Sequence, residues 1–140
     1  LFLKHVFTTL DINYAHGGLL DIEFVVQTAI LAEKVLIFGT STVDMIQDLV
    51  AQSEIWNEKS GALLEAYKHL RTFEQMLHLS STHKIGEIQL EHPTFQKAAG
   101  LMGMTATEAW THLHGELDRA REMLNTLDPT GLKLYPSGGG

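Results

Sequence analysis

The sequence predicts an all-α fold, a bundle of three long helices with shorter ones between them. Three observations carry this expectation. Apolar residues recur at three- and four-residue intervals through nearly all of the 140 residues, the spacing that builds a buried stripe on a helix. No segment keeps the apolar–polar alternation of a half-buried strand. Two tetrapeptides, Ser41-Thr42-Val43-Asp44 and Thr105-Ala106-Thr107-Glu108, have the form of helix-opening capping boxes.

The elements follow in order. Residues Leu1 to about Leu10 are expected to be helical, with Leu3, Val6, Phe7 and Leu10 on one face. Asp11–Gly18 is a loop ending in a Gly-Gly turn. Leu19–Phe38 is a long helix that buries Ile22, Val25, Val26, Ala29, Ala32 and Leu36. Gly39 stops it, and Ser41 as N-cap opens a short helix through about Gln52. A second long helix is expected from about Glu58 to Leu79, with Leu63, Ala66, Tyr67, Leu70, Phe73 and Leu77 buried. Ser80–Pro93 is irregular, punctuated by Gly86 and Pro93. Phe95–Met102 forms a short helix ended by Gly103. The last long helix follows Thr105, carries Trp110, Leu113, Leu117, Ala120, Leu124 and Leu127 on one side, and ends at Asp128-Pro129. The stripes face one another as core and need no cofactor. Residues 1–135 are thus one helical accessory domain and 136–140, rich in Pro, Ser and Gly, a flexible tail. Because helical periodicity starts at once and no methionine opens the sequence, it is expected to be part of a longer protein.

Composition excludes several functions. With 44% hydrophobic and 19% charged residues, the chain has the balance of a globular domain. A formal charge of −7 repels phosphate backbones and argues against nucleic-acid binding. The absence of cysteine removes disulfides, zinc fingers, iron–sulfur clusters and thiol nucleophiles, and fits a cytoplasmic setting. The apolar run Ile30–Phe38 is interrupted by Glu33 and Lys34, and nothing approaches the roughly 20 residues of a membrane span. Among the histidines, His112 and His114 lie two apart on a helix, and His69 and His78 about 180° apart around one. Without a His-Glu-x-x-His pattern, no metal ligand is assigned.

The segment Asp11-Ile12-Asn13-Tyr14-Ala15-His16-Gly17-Gly18-Leu19-Leu20-Asp21-Ile22-Glu23-Phe24-Val25-Val26-Gln27 is richer than bundle-building requires. Gly17 and Gly18 allow positive φ and close backbone approach. A helix N-terminus after them is in isolation an anion site, but Asp21 and Glu23 put two negative charges there and repel a bare phosphate. Asp21 and Glu23 point about 200° apart and do not share an ion, whereas Glu23 and Gln27 are one turn apart on a common face. Two readings stand. Either Asp21 complements the helix dipole while Glu23 makes a surface or interhelical hydrogen bond, or Asp21, Glu23 and Gln27 form a polar docking face. Arg71 and Glu74, at i,i+3, are read as a half-buried ion pair tying two helices together, or else Arg71 reaches Asp21 or Glu23 across the bundle.

This segment resembles the Gly-Gly-Leu/Ile-x-Asp-Ile-Glu-Phe-x-x-Gln signature of the glutamine synthetase adenylyltransferase family, related to the PII uridylyltransferases. Tyr67-Lys68-His69-Leu70-Arg71-Thr72-Phe73-Glu74 is similar to that family's Tyr-x-x-Leu-Arg-x-x-Glu pattern, and Ala98-Ala99-Gly100-Leu101-Met102-Gly103-Met104 to its Ala-x-x-Met-Gly segment. Asn13 stands where members often carry lysine, and the family's catalytic Gly-Ser turn with paired acidic residues is absent. The resemblance implies the helical domain that follows a nucleotidyltransferase domain, with no catalytic residue or cofactor of its own. The whole enzyme would use ATP and Mg²⁺ to adenylylate glutamine synthetase, remove the AMP by phosphorolysis, and answer to the PII signal protein. In that picture Gly17, Gly18, Asp21, Glu23 and Gln27 are the interdomain motif beside the active site, and Arg71 with Glu74 its supporting ion pair. The alternative is a stand-alone regulatory or protein-interaction bundle without catalysis.

Overall fold

The computed structural model describes residues 9–81 and 86–128. Among them six helices run in order: α1 (Leu19–Glu33), α2 (Thr42–Gln52), α3 (Glu54–Lys59), α4 (Leu63–Leu79), α5 (Pro93–Leu101) and α6 (Ala106–Leu127). The fold is all-α as predicted, and α1, α4 and α6 are its three long helices. Two-residue strands β1 (Thr9–Leu10) and β2 (Ile88–Gln89) add one antiparallel pairing, with Leu10 opposite Ile88. No helix among the described residues is long and apolar enough to cross a membrane.

α4 is the centre of the bundle. Its predicted stripe of Leu63, Ala66, Tyr67, Leu70, Phe73 and Leu77 is buried throughout. It packs most extensively against α6, then against α5, with α1 and α2 closing the remaining sides. α6 begins as predicted: the Thr105 hydroxyl accepts from the Glu108 N–H, and the Glu108 carboxylate accepts from the Thr105 N–H. Three aromatic rings link the helices. Phe73 of α4 stacks on Phe95 of α5 at 6.1 Å, and Phe95 meets Trp110 of α6 edge-on at 5.1 Å.

Four expectations need correction. The helix predicted over Leu1–Leu10 lies outside the described residues up to residue 8, as does the tail 136–140, but Thr9 and Leu10 are strand. Their partner is far along the chain, where Ile88 is buried, so local periodicity could not reveal it. α1 stops at Glu33 rather than Phe38. Lys34 takes a left-handed conformation (φ 53°) and closes the helix through its N–H to Ile30 O. The next residues run extended along α2 because Gln52 binds both backbone groups of Leu36, at 2.9 and 2.8 Å, and Asp48 accepts from the Phe38 N–H at 2.8 Å. Two members of the expected stripe, Ala32 and Leu36, are consequently exposed. Finally, the helix expected from Glu58 is two helices. Ser53 caps α3, which buries Trp56 completely, and Gly61 (φ +36°) turns the chain into α4.

Candidate functional site

The diglycine turn is a packing device before it is anything else. Gly17 has φ +80°, and a Cβ there would lie 2.5 Å from Leu117 O and 2.8 Å from Arg121 Cγ. The backbone of the loop therefore rests directly on α6. Gly18 has an ordinary φ of −77°, so its requirement is space alone: a Cβ would sit 2.3 Å from Ile12 O. The backbone N–H groups that an anion would need are already used. Gly17 donates to Asp21 Oδ2 at 3.0 Å, Gly18 to Ala15 O at 2.8 Å, Leu19 to Ile12 O at 3.1 Å and Leu20 to Asn13 O at 3.2 Å. The loop folds back and satisfies the opening turn itself, which agrees with the charge argument against phosphate cradling.

Glu23 points elsewhere. It lines an open cleft of about 690 Å³ between α1, the loop before α2 and α4, with Thr40, Ser41, Thr42, Tyr67, Lys68 and Arg71 among its walls. The Tyr67 hydroxyl donates to Glu23 Oε2 at 3.0 Å. Burial holds that hydroxyl above the ordinary tyrosine value of 10.0; the bond to Thr42 pulls it down, Glu23 pushes it further up and the Arg71 charge opposes. Arg71 pairs with Glu74 at 2.6 Å, its side chain 46% exposed and that of Glu74 15%. This ion pair spans one turn of α4 and does not tie two helices together, and Tyr67 rather than Arg71 reaches Glu23 across the bundle.

The buried Tyr67 hydroxyl, with Glu23 as its acceptor, has a pH signature. The folded chain holds the phenolic proton more tightly than the unfolded chain, so the folded state binds more protons above about pH 10 and loses stability as pH rises further. Tyr67→Phe should lower stability near neutrality by about 1 kcal/mol and flatten the alkaline decline. Urea unfolding at mildly and strongly alkaline pH measures both, and an equally steep decline in the variant refutes the assignment.

Asp21, Glu23 and Gln27 do not form one polar face. Asp21 closes the loop, Glu23 lines the cleft, and Gln27 lies on the outer surface of α1. Its apolar neighbours there are Leu20, Phe24 and Leu31, the last two 63% and 80% exposed. At i, i+4, i+7 and i+11 these four residues fall within about 60° of helix surface. Sequence reasoning missed this stripe because α1 is apolar nearly all round, so a second, outward apolar face does not stand out beside the buried one. It also missed a cluster joining His69 of α4 to His112 and Glu116 of α6, whose donor atoms all lie within 4.8 Å of one another. The i,i+4 spacing of His112 and Glu116 was a readable signal; the register of α4 against α6 was not. Burial, with the nearby charges of His69 and Arg119, holds the His112 imidazole below its usual range.

Comparison with known proteins adds one finding. The family model described as GlnD PII-uridylyltransferase matches residues 4–128. No curated protein and no solved structure matches.

Proposed function

The chain belongs to the GlnD PII-uridylyltransferase family, and from that premise we propose that it is the helical domain of a glutamine synthetase adenylyltransferase, packed beside a nucleotidyltransferase domain and inactive alone. The observation that carries this reading is the meeting of two signature stretches in one cleft. Glu23, from Gly-Gly-Leu-Leu-Asp-Ile-Glu-Phe, and Tyr67, which opens Tyr-x-x-Leu-Arg-x-x-Glu, are joined by a 3.0 Å hydrogen bond. Beside that cleft lies the outward stripe of Leu20, Phe24, Gln27 and Leu31. A helix face of that composition, with one polar group among apolar ones, has the makeup of an interface core. In this reading the stripe seats the nucleotidyltransferase domain, Gln27 hydrogen-bonds across the contact, and the Glu23–Tyr67–Arg71 wall shapes the approach to the neighbour's site. ATP and Mg²⁺ bind in that neighbouring domain, which supplies the paired acidic residues missing here. Glutamine synthetase and the PII protein are the macromolecular partners. The adenylyl rather than uridylyl assignment rests on the resemblance of the first signature alone.

The test uses the full-length enzyme. AMP transfer from ATP to glutamine synthetase is expected, and UMP transfer from UTP to PII is not; the reverse result removes the adenylyl assignment. The double variant Phe24→Asp, Leu31→Asp should lower transfer by about tenfold or more, because charges placed in an interface core are left unpaired. In the isolated chain the same substitutions fall on exposed positions and should leave thermal unfolding nearly unchanged. Full activity in the double variant refutes the docking face.

A further inference from the structure

We propose that His69, His112 and Glu116 form a zinc site that staples α4 to α6. α6 sets His112 and Glu116 one turn apart, so both side chains leave the helix on the same side. α4 packs against that side and brings His69 opposite them. Glu116 is only 3% exposed, among the apolar residues of the α6 stripe, and a carboxylate so placed requires cationic company. Arg119 takes one of its oxygens, Oε1. The other, Oε2, is 3.0 Å from His69 Nδ1.

Hydrogen bonding explains only part of this cluster. The His112 imidazole makes no hydrogen bond among the described residues, yet it lies 5.4 Å from the His69 ring, tilted by 56°. Two imidazoles and one carboxylate are the donor set of open zinc sites, in which three side chains hold the ion and water takes the fourth position. Magnesium and calcium prefer oxygen donors throughout. Around tetrahedral zinc, neighbouring donors are roughly 3.4 Å apart, as follows from metal–ligand distances of about 2.1 Å. The His69–Glu116 separation of 3.0 Å is already close to that, the other donor separations lie within 4.8 Å, and the His69 side chain, 49% exposed, has room to rotate. Zinc takes the place of the His69–Glu116 contact, while Arg119 remains on the far oxygen and orients the carboxylate as an outer partner does in such sites. The Arg119 charge weakens the binding of a divalent ion, so affinity should fall below that of a cysteine-ligated structural site.

The site goes beyond the proposed transferase role and does not depend on it. Calorimetric titration of the chain with zinc should show one equivalent bound. Cobalt should give the visible spectrum of a tetrahedral ion, and zinc at a hundredfold excess over its dissociation constant should raise Tm by roughly 5–10 °C. All three signals should vanish in His69→Ala and His112→Ala, whose positions are exposed or partly so and whose folding circular dichroism confirms. His78→Ala, on an exposed position of α4, should keep them. Glu116→Gln should also abolish binding; because that residue is buried, the histidine variants carry the decision. Zinc bound with unchanged stoichiometry and affinity in His112→Ala, or no heat above dilution in the native chain, overturns the proposal.

Discussion

Replacing Gly17 by alanine is expected to destabilise the chain by about 2–4 kcal/mol, the sum of a left-handed backbone penalty and an overpacked contact. The backbone term comes from φ +80°, and the contact term from a Cβ placed 2.5 Å from Leu117 O and 3.2 Å from the Arg121 backbone nitrogen. Neither neighbour can yield easily, because both belong to the backbone of α6, the longest helix of the bundle. Gly103 separates the two terms. Its φ of +74° is nearly the same, but a Cβ there meets nothing within 4 Å. Gly103→Ala should therefore lose only about 1 kcal/mol. Chemical denaturation of the two variants measures the difference. If Gly17→Ala is no worse than Gly103→Ala, the close seating of the loop on α6 is wrong.

That comparison bears on how the signature is understood. Its glycines and its first acidic residue build a loop that feeds its own helix: Asp21 binds Gly17, and the loop carbonyls bind Gly18, Leu19 and Leu20. The second acidic residue, Glu23, is directed into the cleft by the same helix. A short stretch thus sets the position of α1 on α6 and the shape of one cleft wall together. A substitution at Gly17 should disturb the cleft even though no glycine atom lines it.

How much of this was legible in the sequence depends on where each instruction is written. α6 was read correctly from end to end because both its start, at Thr105 and Glu108, and its apolar stripe are local. The buried face of α4 was equally clear. The end of α1 was not, since no breaker occurs between Glu33 and Phe38, and what stops the helix is the pull of Gln52 and Asp48 on the backbone beyond it. Gly61 was the single local hint that α3 and α4 are separate. In the candidate site, Glu23 was singled out but its partner was not. Tyr67 had been placed in the buried stripe, where a phenol needs somewhere to send its hydroxyl proton. Asking for that acceptor would have pointed toward the acidic opening turns of α1. The histidine cluster required the register of two helices, which no single-helix spacing contains.

The largest effect in the bundle should come from Phe73→Ala, at about 3–5 kcal/mol. Phe73 is fully buried, and its ring stacks within 9° of parallel on Phe95, which in turn meets Trp110 at 80°. Removing the first ring takes the partner from the second and opens a void where α4, α5 and α6 converge. These helices cannot collapse into it freely: α6 is fixed at its start by the Thr105–Glu108 caps, and α4 is held on its other side by α1 and α2. Incomplete collapse is what puts a core truncation at the upper end of its range. For a domain whose whole stability is of the order of 5–15 kcal/mol, such a loss shifts the denaturant midpoint far without altering the slope of the transition. Phe73→Leu retains much of the volume and should lose far less. The ring column also ties the fold to the site, since α4 carries Tyr67, His69 and Arg71 within the two turns before Phe73. Loosening it should weaken the alkaline signature of Tyr67 along with global stability. A loss below about 1.5 kcal/mol for Phe73→Ala would mean that the three helices close over the gap, and that the column is not what holds α4 in place.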